Sequence, residues 1–185
     1  MNLVALKRFK DRIIINTKAE EDLTTKSVRG MGWMLTLFHY NWQVRREWFK
    51  WCRSLPNEEL KRQRTGGMGN ILRTLAHIID VECSWIRAIQ GRPDVAIDLD
   101  AYNTIGKVED LSNQYHSEVM DYLNSDAIEE ENGMVQPSWM EGTYEKGRIL
   151  RHLIAHEIHH IGQLSIWSRE MGIEPVSASL IDRDL

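Results

Sequence analysis

Residues 147–172 read GRILRHLIAHEIHHIGQLSIWSREMG. Their apolar residues recur at the three- and four-residue steps of an amphipathic helix. A helix turns about 100° per residue, so with His156 at zero, Ile149 and Trp167 fall near 20°, His160 near 40°, Leu153 near 60° and Leu164 near 80°. His152 and His159 fall near 320° and 300°, on the polar side of that stripe. The pattern predicts one long helix over about residues 143–171. Thr143 is placed to cap it, Gly172 to end it, and Pro175 lies just beyond.

Three more helices follow from working outward. NILRTLAHIIDVECSWIRAIQ, residues 70–90, has Asn70 as a cap, an apolar arc of Ile71, Leu72, Leu75, Ile78, Ile79 and Trp85, and Gly91 then Pro93 at its end. Over residues 31–53, Leu35, Phe38, Trp42, Arg45, Phe49 and Cys52 draw one face, and Ser54-Leu55-Pro56 closes the helix. Residues 102–124 carry a thinner stripe of Leu111, Tyr115, Val119, Tyr122 and Leu123. Gly66-Gly67-Met68-Gly69 lacks the Lys-Ser/Thr of a phosphate loop and reads as a flexible turn. Residues 125–142, with Gly133, Pro137, Trp139 and Met140, form a connection of the length usual for a lid. No strand is predicted, and the expected fold class is an all-α four-helix bundle.

The expected organisation is a bundle over 28–175, an arm over 1–27 and a tail over 176–185. The arm is charge-dense and without a clean period; an upstream start codon would account for it, with Met31 and Met34 as alternative starts. The net charge of −4 weighs against a nucleic-acid surface. No apolar run reaches the roughly 18–20 residues of a membrane span, and Ile13-Ile14-Ile15 is too short for a signal peptide. Cys52 and Cys83 form no C-x-x-C pair and read as reduced thiols of a cytoplasmic protein. Seven tryptophans suit a core built with large aromatics.

His156-x3-His160 puts two imidazoles one turn apart, within reach of one ion. The pair His152-x3-His156 has the same spacing and stays an alternative, as does a purely structural role in a core or polar pocket. A stable site needs a further ligand from elsewhere. His77, in the middle of an apolar helix, fits best, with His39 and His116 as alternatives. The run also contains H-E-x-x-H, His156-Glu157 through His160, in which a zinc protease uses the glutamate as general base. No strand-rich subdomain or downstream ligand supports that reading. Asp80 and Glu82 read either as partners fixing a histidine tautomer or as surface charges, and Cys83 as a buried thiol rather than a nucleophile. His159, His116 or Glu82 could close the site as a fourth ligand.

Residues 70–90 and 147–172 together resemble the DinB-like superfamily, named after a DNA-damage-inducible bacterial protein. H-E-x-H-H-x-G-Q-L is the specific motif, L-x-H-I-x-D-x-E the supporting one, and the resemblance spans about residues 31–175. It implies an up-down-down-up bundle, usually dimeric, with a divalent metal (zinc, nickel or iron) on His77, His156 and His160. Relatives include S-transferases and isomerases that use a small-molecule thiol such as bacillithiol, mycothiol or glutathione. The implied activity is thiol transfer to an electrophilic substrate; metal-dependent hydrolysis and a non-enzymatic stress role are the alternatives. Gln163 is placed to orient a ligand, Trp139 and Met140 to line the mouth, and part of the set Trp42, Trp48 and Trp51 to form a dimer interface.

Overall fold

The structure, a computed structural model, describes residues 32–185, so the expected arm over 1–27 and the alternative start Met31 lie outside the described residues. Five helices stand among those described: α1 (32–52), α2 (Asn57–Lys61), α3 (Ile71–Ile89), α4 (Ile105–Leu123) and α5 (Lys146–Glu170). α2 is a single short turn inside the expected polar connection, where Pro56 starts a helix as readily as it ends one.

The core consists of two apolar clusters, one at each end of the bundle. One gathers Trp48 and Phe49 from late α1, Leu72 and Leu75 from early α3, Val108 and Leu111 from early α4, and Leu164 and Trp167 from late α5. The other gathers Met34 and Phe38, Ile86 and Ile89, Val119 and Leu123, and Ile149 and Leu150 from the opposite ends of the same helices. This sharing fixes the directions: α1 and α5 run one way, α3 and α4 the other. The bundle is therefore all-α and up-down-down-up, as expected. Since α3 and α4 run parallel, the chain from 90 to 104 must return along the bundle's length, which explains a connection too long for a hairpin.

Local chemistry sets most boundaries. The Asn70 side chain accepts from the Arg73 N–H at 2.9 Å, a cap contributing about 1 kcal/mol. Gly91 takes φ +67°, the left-handed conformation that ends a helix without Cβ strain. Two boundaries differ from expectation. α4 starts at Ile105, because Thr104 caps it through the Lys107 N–H and residues 99–101 form a separate 3₁₀ turn. Thr143 does not cap α5: Tyr144–Glu145 is a short strand (β2) pairing antiparallel with Met134–Val135 (β1), so the helix starts at Lys146. Two paired residues are too short a run to leave a period in the sequence.

Residues 174–184 lie along α1. The Tyr40 hydroxyl donates to the Ala178 carbonyl at 2.8 Å, the Trp51 indole to that of Glu174 at 3.0 Å, and Arg183 forks onto Glu47 at 2.8 and 3.0 Å. Of the three tryptophans expected to contribute part of an interface, Trp42 and Trp48 are buried inside the bundle and are removed from that set, while Trp51 is half-buried. No described helix is long and apolar enough to cross a membrane.

Candidate metal centre

Three imidazoles meet between α3 and α5. The Nε2 of His156 lies 3.2 Å from that of His77 and 3.2 Å from that of His160. The ligand atoms of all three lie within 4.8 Å of one another. His156 and His160 share a face because four residues make about one turn, and His77 comes from the facing helix.

Each ring is held neutral. Burial, then the neighbouring His160, His77, His152 and His159, push His156 down to about 3. Burial and His160 lower His77, and burial is the main cause for His160. Neutral imidazole is the form that ligates. The His160 tautomer is also set. Its Nδ1–H donates to Gln163 Oε1 at 2.7 Å, leaving the Nε2 lone pair facing its two partners. The Gln163 amide nitrogen lies 3.1 Å from His159 Nε2, with the amide oxygen facing His160.

The donor set fits a divalent ion. Tetrahedral ligation at about 2.0–2.1 Å spaces imidazole nitrogens about 3.3–3.4 Å apart, close to the 3.2 Å found here. Neutral nitrogen donors suit zinc, nickel and iron.

The other histidines lie elsewhere. His39 and His116 pack edge-on against Trp42 at 5.6 and 4.5 Å, away from the triad. His152 lies tilted beside His156, ring centroids 5.5 Å apart, and lines a cavity, and the pair at the cluster is 156 and 160. None of the three expected roles of Glu82 is found: it is not a surface charge, not bound to a histidine and not in the ligand cluster. It is buried and accepts from Arg45 and Trp42. Glu157 is also buried against Arg45, so it is not free to act as the base of a zinc protease. Among the described residues the cluster contains His77, His156 and His160 alone, with no fourth side-chain ligand. Asp80 makes no side-chain bond to a histidine among the described residues. Cys83 is a free buried thiol whose pKa burial pushes up to about 12, far from a nucleophile's range.

A cavity of about 460 Å³ opens onto His156. Its walls are Val81, Trp85, Trp139, Met140, Tyr144 and Ile149, with Arg148 and His152 also lining it. Trp85 meets Trp139 and Tyr144 edge-on at 5.2 and 5.8 Å. The β1–β2 ladder closes the connection before α5 and brings Trp139 and Met140 over the cavity.

Sequence reasoning missed the packing of the glycine turn. Gly67, at φ +53°, sits where a Cβ would come within 2.7 Å of Trp167, 2.9 Å of Thr74 and 3.1 Å of Gln163. The turn is a close-packed wall behind Gln163, and the three glycines in four residues were its signal.

A sequence model of the DinB family matches residues 24–183. The uncharacterized protein YizA of Bacillus subtilis (strain 168) is 52% identical over 153 residues, which is 82% of this chain and 96% of that one. A crystal structure of a DinB-like protein from Bacillus cereus ATCC 10987 superposes with a TM-score of 0.61 at 16% identity, over 78% of this chain and 93% of the other; at that identity the likeness shows a shared fold. A family match spanning most of the chain, and a relative this similar over nearly its whole length, place the protein in the DinB family.

Proposed function

We propose that this chain holds one divalent ion on His77, His156 and His160 and acts as a thiol S-transferase, joining a low-molecular-weight thiol such as bacillithiol to an apolar electrophile. The observation that carries the reading is a three-nitrogen cluster, with no fourth side-chain ligand among the described residues, at the end of an aromatic-walled cavity. A divalent ion at such a site supplies a Lewis acid that lowers the pKa of a coordinated thiol or water toward neutrality.

The chain's own residues supply the rest. Gln163 keeps the His160 Nε2 lone pair pointing inward. Trp85, Trp139, Met140 and Tyr144 exclude water and take the apolar body of the electrophile. In the transfer, the thiolate sulfur forms a bond to the electrophilic carbon, the leaving group departs with its bonding pair, and the thiol proton passes to solvent. Hydrolysis through the same site would draw on a nearby base, and Glu157, the carboxylate inside the ligand pair, is held by Arg45 instead. A second copy of the chain and a cytoplasmic setting belong to the same proposal.

The test is metal analysis of the purified chain, followed by visible spectra of the cobalt-substituted protein on addition of bacillithiol, mycothiol and glutathione. One thiol is expected to perturb the spectrum and to be conjugated to a simple electrophile. No spectral response to any thiol would count against transfer and leave hydrolysis or a non-enzymatic stress role. His160→Ala is expected to lose the metal while remaining helical.

A further inference from the structure

We infer that Arg45 is a positioning residue for the histidine triad: one guanidinium on α1, which supplies no ligand, grips a carboxylate on each of the two helices that do, and so fixes the spacing of His77 from His156 and His160. The inference rests on the metal-centre reading and extends it to a part of the fold that reading does not use.

The geometry is specific. Arg45 Nε donates to Glu157 Oε1 at 2.8 Å and Nη2 to Glu157 Oε2 at 2.6 Å. Toward the other helix, Nη1 donates to Glu82 Oε2 at 2.9 Å and Nη2 to Glu82 Oε1 at 3.0 Å. One side chain thus makes a two-pronged contact with both carboxylates, which only the planar fork of arginine can do. The Trp42 indole N–H adds a bond to Glu82 Oε1 at 3.0 Å, and Asn41 donates to the Ile154 carbonyl of α5 at 3.3 Å. Three residues within five positions of α1 therefore hold both ligand-bearing helices.

The clamp shares the triad's turn on α5 and lies about one and a half turns beyond His77 on α3. Glu157 follows His156 and precedes His160 by three residues, within the same turn of α5. Glu82 is five residues past His77, about 7.5 Å along α3 at 1.5 Å per residue. Arg45, Glu82 and Glu157 are all buried, with 2%, 6% and 2% exposure. Desolvation pulls the Arg45 pKa down, but Glu157 and Glu82 outweigh it and keep the guanidinium protonated.

Stability alone does not account for this arrangement. Buried ion pairs gain little over well-packed apolar side chains of similar volume, because taking the charges out of water costs about as much as their attraction returns. Their distinctive contribution is directional: hydrogen bonds set angles and distances that apolar contacts leave loose. Beside the clamp, α3 and α5 share apolar packing, with Leu75 and Ile79 in one cluster with Ile161 and Leu164, and such contacts carry no fixed angles. A metal site tolerates little looseness, since ligand spacing must hold to within about 0.2 Å.

Two full-length variants test the clamp. Arg45→Lys keeps the charge and loses the fork. The triple variant Arg45→Met, Glu82→Gln, Glu157→Leu removes the ionic contacts while leaving an acceptor for Trp42, and avoids stranding a buried carboxylate, which would confound the result by unfolding. Zinc and cobalt dissociation constants are measured by competition with a chromophoric chelator, beside helicity and the cooperativity of unfolding. Affinity is expected to fall about 10–100-fold in each, the range found when groups supporting ligands are removed, with the fold retained. Affinity within twofold of the parent chain in either folded variant overturns the clamp. A parent chain that takes up no metal sinks the metal-centre reading instead. The clamp is then judged on a crystal structure of the metal-free triple variant, where the 3.2 Å Nε2 separations are expected to widen and unchanged separations overturn it.

Discussion

Gln163 and His160 are joined by a 2.7 Å hydrogen bond from the imidazole Nδ1 to the amide oxygen, one turn apart on the same helix face. The bond turns the third nitrogen of the cluster inward, and Gln163 is itself held from two sides. His159 accepts from its amide group, and the Gly67 turn lies close behind its oxygen, where a Cβ on Gly67 would come within 3.1 Å. The orientation of one imidazole is thus set by a chain of contacts that reaches the loop before α3.

Replacing Gln163 by leucine keeps the volume and removes the acceptor. The His160 ring is then free to rotate or to change tautomer. Metal affinity is expected to fall about 10–100-fold with unfolding behaviour little changed, as measured by chelator competition beside urea denaturation. Unchanged affinity would mean that the packing of α5, rather than the hydrogen bond, orients the ring.

Gly67→Ala is expected to destabilise the protein by about 1–3 kcal/mol, the usual range for forcing a methyl group into a packed site. Its φ of +53° adds strain that glycine does not feel, and the new Cβ meets Trp167 and Thr74 before it meets Gln163. Gly66→Ala, also at positive φ but with open space around its Cβ, separates the two causes. If both substitutions cost the same in urea denaturation, backbone strain alone explains Gly67 and its contact with the wall behind Gln163 is incidental.

The helices and the His156–His160 pair were legible because both obey the 3.6-residue period, while the choice of His77 over His39 and His116 rested on the family resemblance as well as its place in an apolar helix. Asn70, Gly91 and Gly172 punctuated the chain as their chemistry requires, and His77, His156 and His160 come together in the cluster the period and the family pattern pointed to. What stayed hidden depends on which long side chain crosses to which helix. Glu82 and Glu157 both carry charge, and charge in an amphipathic helix reads as solvated. Only Arg45, sitting in the apolar stripe with Phe38 and Phe49, hinted that a buried cation needed buried anions. The β1–β2 ladder, two residues long, left no alternation to find.

Asp80 gives a pH dependence with a definite sign. Burial, with Asp94 nearby, pushes its carboxyl up to about 6 from an ordinary 3.8. A carboxyl raised in the folded state favours folding when neutral. Its contribution is therefore full below pH 3.8 and is lost as pH rises through about 6. Asp80→Asn, which mimics the neutral form, is expected to raise the urea midpoint of the metal-free protein at pH 7.5. The gain should stay under about 1 kcal/mol, because the half-exposed site is screened by solvent. The advantage should shrink at pH 4.5. A gap that is constant with pH would assign the effect to packing instead.

Trp85 belongs to the wall of the cavity and not to the metal centre. It meets Trp139 and Tyr144 edge-on and lines the space beside His156, but it is not one of the clustered nitrogen donors. If the electrophile's apolar body lies in that cavity, Trp85→Ala removes contact made equally in the ground and transition states. Loss of uniform binding raises KM and leaves kcat alone. About 1.4 kcal/mol of lost apolar contact, a fraction of what a large buried side chain contributes, corresponds to roughly a tenfold rise in KM for an aromatic electrophile. Metal content and the KM for the thiol should not move, since neither depends on the aromatic wall. Steady-state conjugation kinetics with both substrates varied distinguish the cases. A fall in kcat with KM unchanged would mean that Trp85 acts on the histidines through His152, and that the electrophile binds elsewhere.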